Sequence, residues 1–202
     1  MNLKALAFNC TLKASPGSSS TEKLLRQLIS ALDRFGVESE LVRVVDHNIK
    51  PGVRSDEGTG DDWPALRSRL IASDILIVGS PIWLGQPSSV AKCVLERMDA
   101  FLGEKDKKGR TPAYGKVAIA AAVENEDGAH HVSAELLQGM FELGFSVPPG
   151  GAAYWVGEAM GSVNYVDLTQ TPPALADWLP HIASNTAHLA RLLKENPYPG
   201  KS

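Results

Sequence analysis

Residues 74–87 read Asp-Ile-Leu-Ile-Val-Gly-Ser-Pro-Ile-Trp-Leu-Gly-Gln-Pro. Ile75 to Val78 is apolar at every position, with no polar alternation, and sits between Asp74 and Gly79. A strand buried on one face alternates, whereas a strand buried on both faces does not; the second pattern belongs to a parallel sheet covered by helices on both sides. Working outward, Leu3–Phe8 is a compact apolar run and Lys116–Val123 another buried strand. Between them, Ser20–Phe35 sets Leu24, Leu28 and Leu32 on one helical face beside Leu25 and Ile29, with Gly36 as a stop. Leu41–Val45 is a second strand candidate. Trp63–Ala72 predicts a helix with Pro64 near its start, and Ser88 or Ser89 caps a helix carrying Val90, Val94, Leu95, Met98 and Phe101.

After a loop at Glu124–Ala129, a helix runs to about Leu143. Phe145–Val147 and Ala152–Val156 are short strand candidates, and a last helix covers roughly Leu175–Lys194 with an interruption or a restart at Pro180. Gly103–Gly115 reads as a surface loop, and Asp46–Asp62, long and polar, as an insertion or mobile flap. Strands alternating with helices predict a doubly wound α/β fold, a parallel sheet with helices on both faces.

The 202 residues, 44% of them hydrophobic, predict a single domain over residues 1–202 whose core needs no metal or disulfide staple. Lys+Arg is 20 against Asp+Glu 23, a net charge of −3, which argues against nucleic acid as a partner. No segment approaches the roughly 20 apolar residues of a membrane span, and the first residues lack a signal h-region. Cys10 and Cys93 are too few and too far apart for a zinc site or disulfide framework, so reduced thiols in a cytoplasmic protein are expected.

Open α/β sheets bind ligands outside the carboxyl ends of their strands, which directs attention to three loops. The first follows Asn9 and precedes the first helix. Ser15, Ser18, Ser19, Ser20 and Thr21 place five hydroxyls in seven positions around Gly17. Such a cluster can cap the helix, or it can join the free N–H groups of the helix N-terminus in holding a phosphate. The density of hydroxyls favours the anion site, with Thr11 and Lys13 beside it. The dinucleotide Gly-x-Gly-x-x-Gly and Walker patterns are absent, so a monophosphate is the better fit.

The second loop, Gly79–Pro87, is stiffened by Pro81 and Pro87, and Gly85 permits close backbone approach. Its N–H groups and Trp83 suit the edge of a planar heterocycle, though Trp83 could equally pack on a helix or a partner subunit. The third loop reads Glu124-Asn125-Glu126-Asp127-Gly128-Ala129-His130-His131. Solvated charges and a helix cap explain it better than a metal site, because adjacent histidines point different ways. Asn125 and the Gly128 backbone remain available to polar ring atoms. No Gly-x-Ser-x-Gly nucleophile elbow occurs, which disfavours a hydrolase. The acids a phospho-acceptor receiver needs after its first strand are also missing.

Together the three loops resemble the NADPH-dependent FMN reductase family of the flavodoxin-like superfamily. Thr11, Lys13, Ser20 and Thr21 fall on positions of that family's phosphate loop, with Ser18 and Ser19 between them. Ser80-Pro81-Ile82-Trp83-Leu84-Gly85 is similar to its flavin loop, and Asn125–His131 resembles the third loop of a subgroup. Cys10, Leu12 and Glu124 depart from the family pattern, replacing a glycine, a proline and a glycine. The resemblance implies a flavodoxin-like five-stranded sheet of order 2-1-3-4-5. It also implies an FMN-dependent NAD(P)H oxidoreductase that passes electrons to a small acceptor such as a quinone or free flavin. Its cofactor-binding residues would be Thr11, Lys13, Ser18, Ser19, Ser20, Thr21, Pro81, Ile82, Trp83, Leu84, Gly85, Glu124, Asn125, Asp127 and Gly128. The chemistry belongs to the flavin, so no catalytic side chain and no metal ligand is nominated. Relatives are often dimers or tetramers with the flavin near the interface, which would place Trp83 or Trp155 there. Two other readings share the fold: a flavodoxin-type electron carrier without turnover, which the modest charge disfavours, and a flavin-free binding module.

Overall fold

A computed structural model describes residues 2–158 and 160–201. Strands β1 (Leu3–Asn9), β2 (Val37–Arg43), β3 (Ile75–Trp83), β5 (Val117–Glu124) and β6 (Ala152–Val156) form one parallel sheet in the order β2-β1-β3-β5-β6. The two-residue β4 (Gln86–Pro87) pairs antiparallel with the end of β3. Counting parallel strands alone, the order is the 2-1-3-4-5 of flavodoxin-like folds. Helices α1 (Ser20–Asp33), α2 (Trp63–Ala72), α3 (Ser89–Met98), α4 (Ala129–Leu143) and α5 (Pro173–Glu195) complete the layers.

The unbroken apolar runs become the central strands because each has two faces to bury. Leu6, Phe8, Leu76, Val78, Ala120 and Ala122 face α2, α3 and α4 through Trp63, Leu66, Val94, Met98, Val132 and Leu136. Ala5, Ala7, Ile75, Ile77, Ile119 and Ala121 face α1 and α5 through Leu24, Leu28, Leu179, Ile182 and Ala183. Gly79 is required on β3, since a Cβ there would lie 2.7 Å from Leu25 Cδ1. This seats α1 low over the sheet, with its N-terminus at the carboxyl end of β1.

Several boundaries differ from the sequence reading. β2 begins at Val37 and ends at Arg43, whereas the run Leu41–Val45 was expected; as an edge strand paired only to β1, it buries little besides Val37 and Val42. Phe145–Val147 forms no strand but a single bridge between Ser146 and Val117. Helix α5 passes through Pro180 without interruption, because Leu179, Ile182 and Ala183 on either side of it are buried against the sheet.

Segment 46–62 is tied to α3. Arg97 of α3, fully buried, donates to the Lys50 carbonyl and to Asp61 Oδ2, both at 2.7 Å, and stacks over the Trp63 ring. Burial alone would raise the Asp61 pKa; the N–H of Glu57, the Arg97 guanidinium, and the N–H groups of Trp63 and Lys50 outweigh it and bring it to about 2. No helix among the described residues is long and apolar enough to cross a membrane.

Replacing Asp61 by Ala leaves Arg97 buried without its counter-ion. Urea unfolding is expected to show a loss of about 3–5 kcal/mol. The folded Asp61 pKa lies below the ordinary 3.8, so its stabilisation is present above about pH 4 and is lost as pH falls toward 2. A midpoint shift in D61A as large at pH 2 as at pH 7 would contradict this.

Candidate functional site

The carboxyl ends of β1, β3 and β5 lie side by side, so the loops after Asn9, Gly79 and Val123 meet at one edge of the sheet. Cys10 N–H donates to the Gly79 carbonyl at 2.8 Å, which joins the first loop to the second. Ser88 joins them again: its hydroxyl donates to the Cys10 carbonyl at 2.6 Å and accepts the Ala91 N–H at 3.1 Å, capping α3. Its own N–H donates to Ser80 Oγ at 2.9 Å, and Ser80 Oγ–H donates to the Pro81 carbonyl.

The second and third loops touch through two glycines. A Cβ on Gly128 would stand 2.7 Å from the Gly85 Cα, and Gly128 has φ 119°. Gly85, at φ 73°, meets nothing on its open side. His131 Nε2 contacts Gln86 Oε1 at 3.1 Å, and Gly157 N–H reaches the Glu124 carbonyl at 3.1 Å. Gly85 and Gly128 thus bring two backbone loops into contact beneath an open ledge.

Along the first loop, the hydroxyls divide. Ser19 is the N-cap of α1 and accepts the Glu22 N–H at 3.1 Å. Ser20 Oγ accepts the Val166 N–H at 3.2 Å, which ties it to the C-terminal segment. Thr11 Oγ1 accepts the Lys13 N–H at 3.3 Å, Thr21 is buried at the start of α1, and Ser18 and Lys13 are exposed. Ser15 donates from both N–H and Oγ to Asp46, which lowers that carboxyl's pKa.

The second loop is a hairpin rather than an irregular turn. β3 continues through Pro81, Ile82 and Trp83, and Leu84 and Gly85 make the turn at φ 53° and 73°. Ile82 is fully buried in the core, so only its backbone faces the site. Trp83 is 46% and Leu84 92% exposed at the tip. Trp155, named with Trp83 as an interface candidate, is half-buried and packs on Tyr165 with ring centroids 5.2 Å apart. On the third loop, Glu124 Oε1 accepts the Asn125 N–H at 2.9 Å and Asp127 Oδ1 accepts the Gly128 N–H at 2.7 Å. Burial, with Cys93 adding to it, pushes the Cys10 thiol far above the range in which it ionises.

The sequence reading missed Arg43, at the carboxyl end of β2. Its Nη1 donates to the carbonyls of Lys13 and Gly17 at 3.1 and 2.7 Å, and its Nη2 pairs with Glu22. Partial burial would raise the Glu22 carboxyl, but hydrogen bonds from Arg43 and then Arg26 hold it below its ordinary value. A charged residue ending a strand beside β1 was the available signal.

The family model described as NADPH-dependent FMN reductase matches residues 3–159. The chain belongs to that family. Its fold is flavodoxin-like, and a flavone reductase structure superposes with a TM-score of 0.67 at 13% identity, covering 98% of this chain and 66% of that one. Among relatives of this FMN reductase family member, an 8-demethyl-8-aminoriboflavin-5'-phosphate synthase of Streptomyces davaonensis is 36% identical over 98% of this chain and 81% of its own length. The crystal structure of RosB with bound 8-demethyl-8-formylriboflavin-5'-phosphate has a TM-score of 0.88 at 36% identity, covering 97% of this chain and 82% of that one. A Mycobacterium bovis protein named as a divalent metal cation transporter is 37% identical over 82% of this chain; the match covers only 25% of that protein.

Gly128→Ala is expected to force the second and third loops apart, because the methyl group meets backbone and the residue must hold a positive φ. A loss of about 1–3 kcal/mol in urea unfolding is expected; wild-type stability would show that the loops do not meet there.

Proposed function

We propose that this chain is an FMN-dependent NAD(P)H oxidoreductase, a single domain over residues 1–202, that delivers electrons to a small acceptor such as a quinone or free flavin. The observation that carries the reading is the meeting of three loops at one sheet edge, with the α1 N-terminus in the first and bare glycine backbone in the second and third. In this reading Thr11, Lys13, Ser18 and Thr21 hold the phosphate together with the first N–H groups of α1. Ser19 and Ser20 act indirectly, by capping α1 and by fixing it to the C-terminal segment.

The backbone from Pro81 to Gly85 and the groups of Asn125, Asp127 and Gly128 border the ring edge, while Glu124 is turned back on its own loop. Bound FMN supplies the hydride and electron chemistry, which no side chain here replaces. The open ledge at Gly85 gives a nicotinamide or an acceptor access to one ring face. The exposed Trp83 and Leu84 at the hairpin tip suit a subunit contact in a cytoplasmic homodimer or homotetramer.

A second reading makes FMN the substrate. It is favoured by the 36% identity, over nearly the whole chain, to a synthase named for a modified riboflavin phosphate. One experiment separates the two: load FMN, remove the excess, add NADH or NADPH without oxygen, and then weigh the recovered flavin. Bleaching with unchanged flavin mass is expected, and a changed mass favours the second reading. A colourless protein after loading overturns the first. Ser18→Glu, at an exposed position, is expected to abolish FMN retention by setting like charge against the phosphate, with the unfolding midpoint unchanged.

A further inference from the structure

Arg43 contacts the phosphate loop from behind. Its guanidinium binds the Lys13 and Gly17 carbonyls with one nitrogen and Glu22 with the other, and its side chain is 11% exposed. Glu22 is held in turn by Arg26, whose Nε and Nη2 lie 2.9 and 2.7 Å from Oε1, and it lies 3.5 Å from Asn9 Nδ2 at the end of β1. Arg43 is therefore fixed at both ends, by the loop carbonyls and by a carboxylate on the first turn of α1.

The peptide unit is planar and trans, so its C=O and the following N–H point in opposite directions. A Gly17 carbonyl turned toward Arg43 turns the Ser18 N–H away from it, and the same holds for Lys13 and the Ala14 N–H. Neither N–H has a protein acceptor among the described residues. Gly17 N–H is used within the loop, donating to the Ala14 carbonyl at 2.9 Å. A guanidinium is suited to this task, since its rigid fork can bind two carbonyls and a carboxylate in fixed directions. A second tie, from Asp46 to Ser15, holds the middle of the same loop to the turn that follows β2.

We propose that Arg43 is a positioning residue for the anion site: it does not touch the phosphate, but turns the Ala14 and Ser18 N–H groups toward it by holding the preceding carbonyls. The inference rests on the FMN reading above and names what makes that site selective for a phosphorylated flavin.

The test compares FMN with riboflavin, which lacks the phosphate, by quenching of flavin fluorescence. Arg43→Met removes the donors and keeps the aliphatic stem. Its FMN dissociation constant is expected to rise roughly tenfold or more, as lost charge-assisted hydrogen bonds imply, while that for riboflavin stays within about twofold of wild type. The loss should persist at about 0.5 M salt, where interactions between separated charges are largely screened. The double variant Arg43→Met with Glu22→Gln removes the carboxylate that Arg43 would leave behind, and it is expected to show the same loss.

Four results would overturn the proposal: unchanged FMN affinity, equal weakening of riboflavin, a loss that salt abolishes, or recovery of wild-type affinity in the double variant. The last would trace the effect to the charge of Glu22. If the wild-type protein retains neither flavin, the FMN reading fails and this inference falls with it.

Discussion

A short chain of buried hydroxyls holds the site together. Ser88 caps α3, donates to the Cys10 carbonyl, and places its N–H on Ser80, whose hydroxyl turns to Pro81. Both serines are almost completely buried, so each hydrogen bond lost there would leave a polar group unsatisfied away from water. Through these bonds the end of β1, the end of β3 and the start of α3 become one unit. The first loop and the hairpin are thereby tied together at their bases.

The third loop joins this unit through backbone contact. Gly85 and Gly128 approach so closely that the contact has no room for a methyl group on Gly128. Here the sheet contributes more than a frame. β3 and β5 are paired residue for residue as far as Pro81 and Val123, so their loops leave at the same height. The ledge at Gly85 follows from that register, and the α1 N-terminus reaches the same edge because Gly79 lets Leu25 sit directly on β3.

Much of this was legible in the residues. Unbroken runs such as Ile75–Val78 carry the signature of strands buried on both faces, and the three loops after them were placed correctly at one end of the sheet. β2 was misjudged because an edge strand buries so little that Glu38, Ser39 and Glu40 mask its start. The 46–62 segment read as an insertion or mobile flap because its anchor, Arg97, lies on α3, 36 residues from Asp61. Pro180 read as a break because its local cost is plain in sequence, whereas the buried face of α5 that carries the helix past it is not.

Within the site, residue type identified the loops but not the task of each side chain. Five hydroxyls near Gly17 look alike in sequence; the fold assigns Ser19 to a cap, Ser20 to Val166 and Ser15 to Asp46. Ile82 reads as a loop residue and is part of the core. Arg43 went unnoticed because it comes from another strand, although it holds the loop's backbone.

In the proposed reading FMN spans all three loops at once. Amide chemical shifts followed by two-dimensional NMR during an FMN titration test it directly. Saturable shifts concentrated in residues 10–21, 80–86 and 124–129 are predicted. Shifts confined to one loop, or centred on the open groove near Lys4, Glu38 and Arg69 at the opposite end of the sheet, would contradict the account.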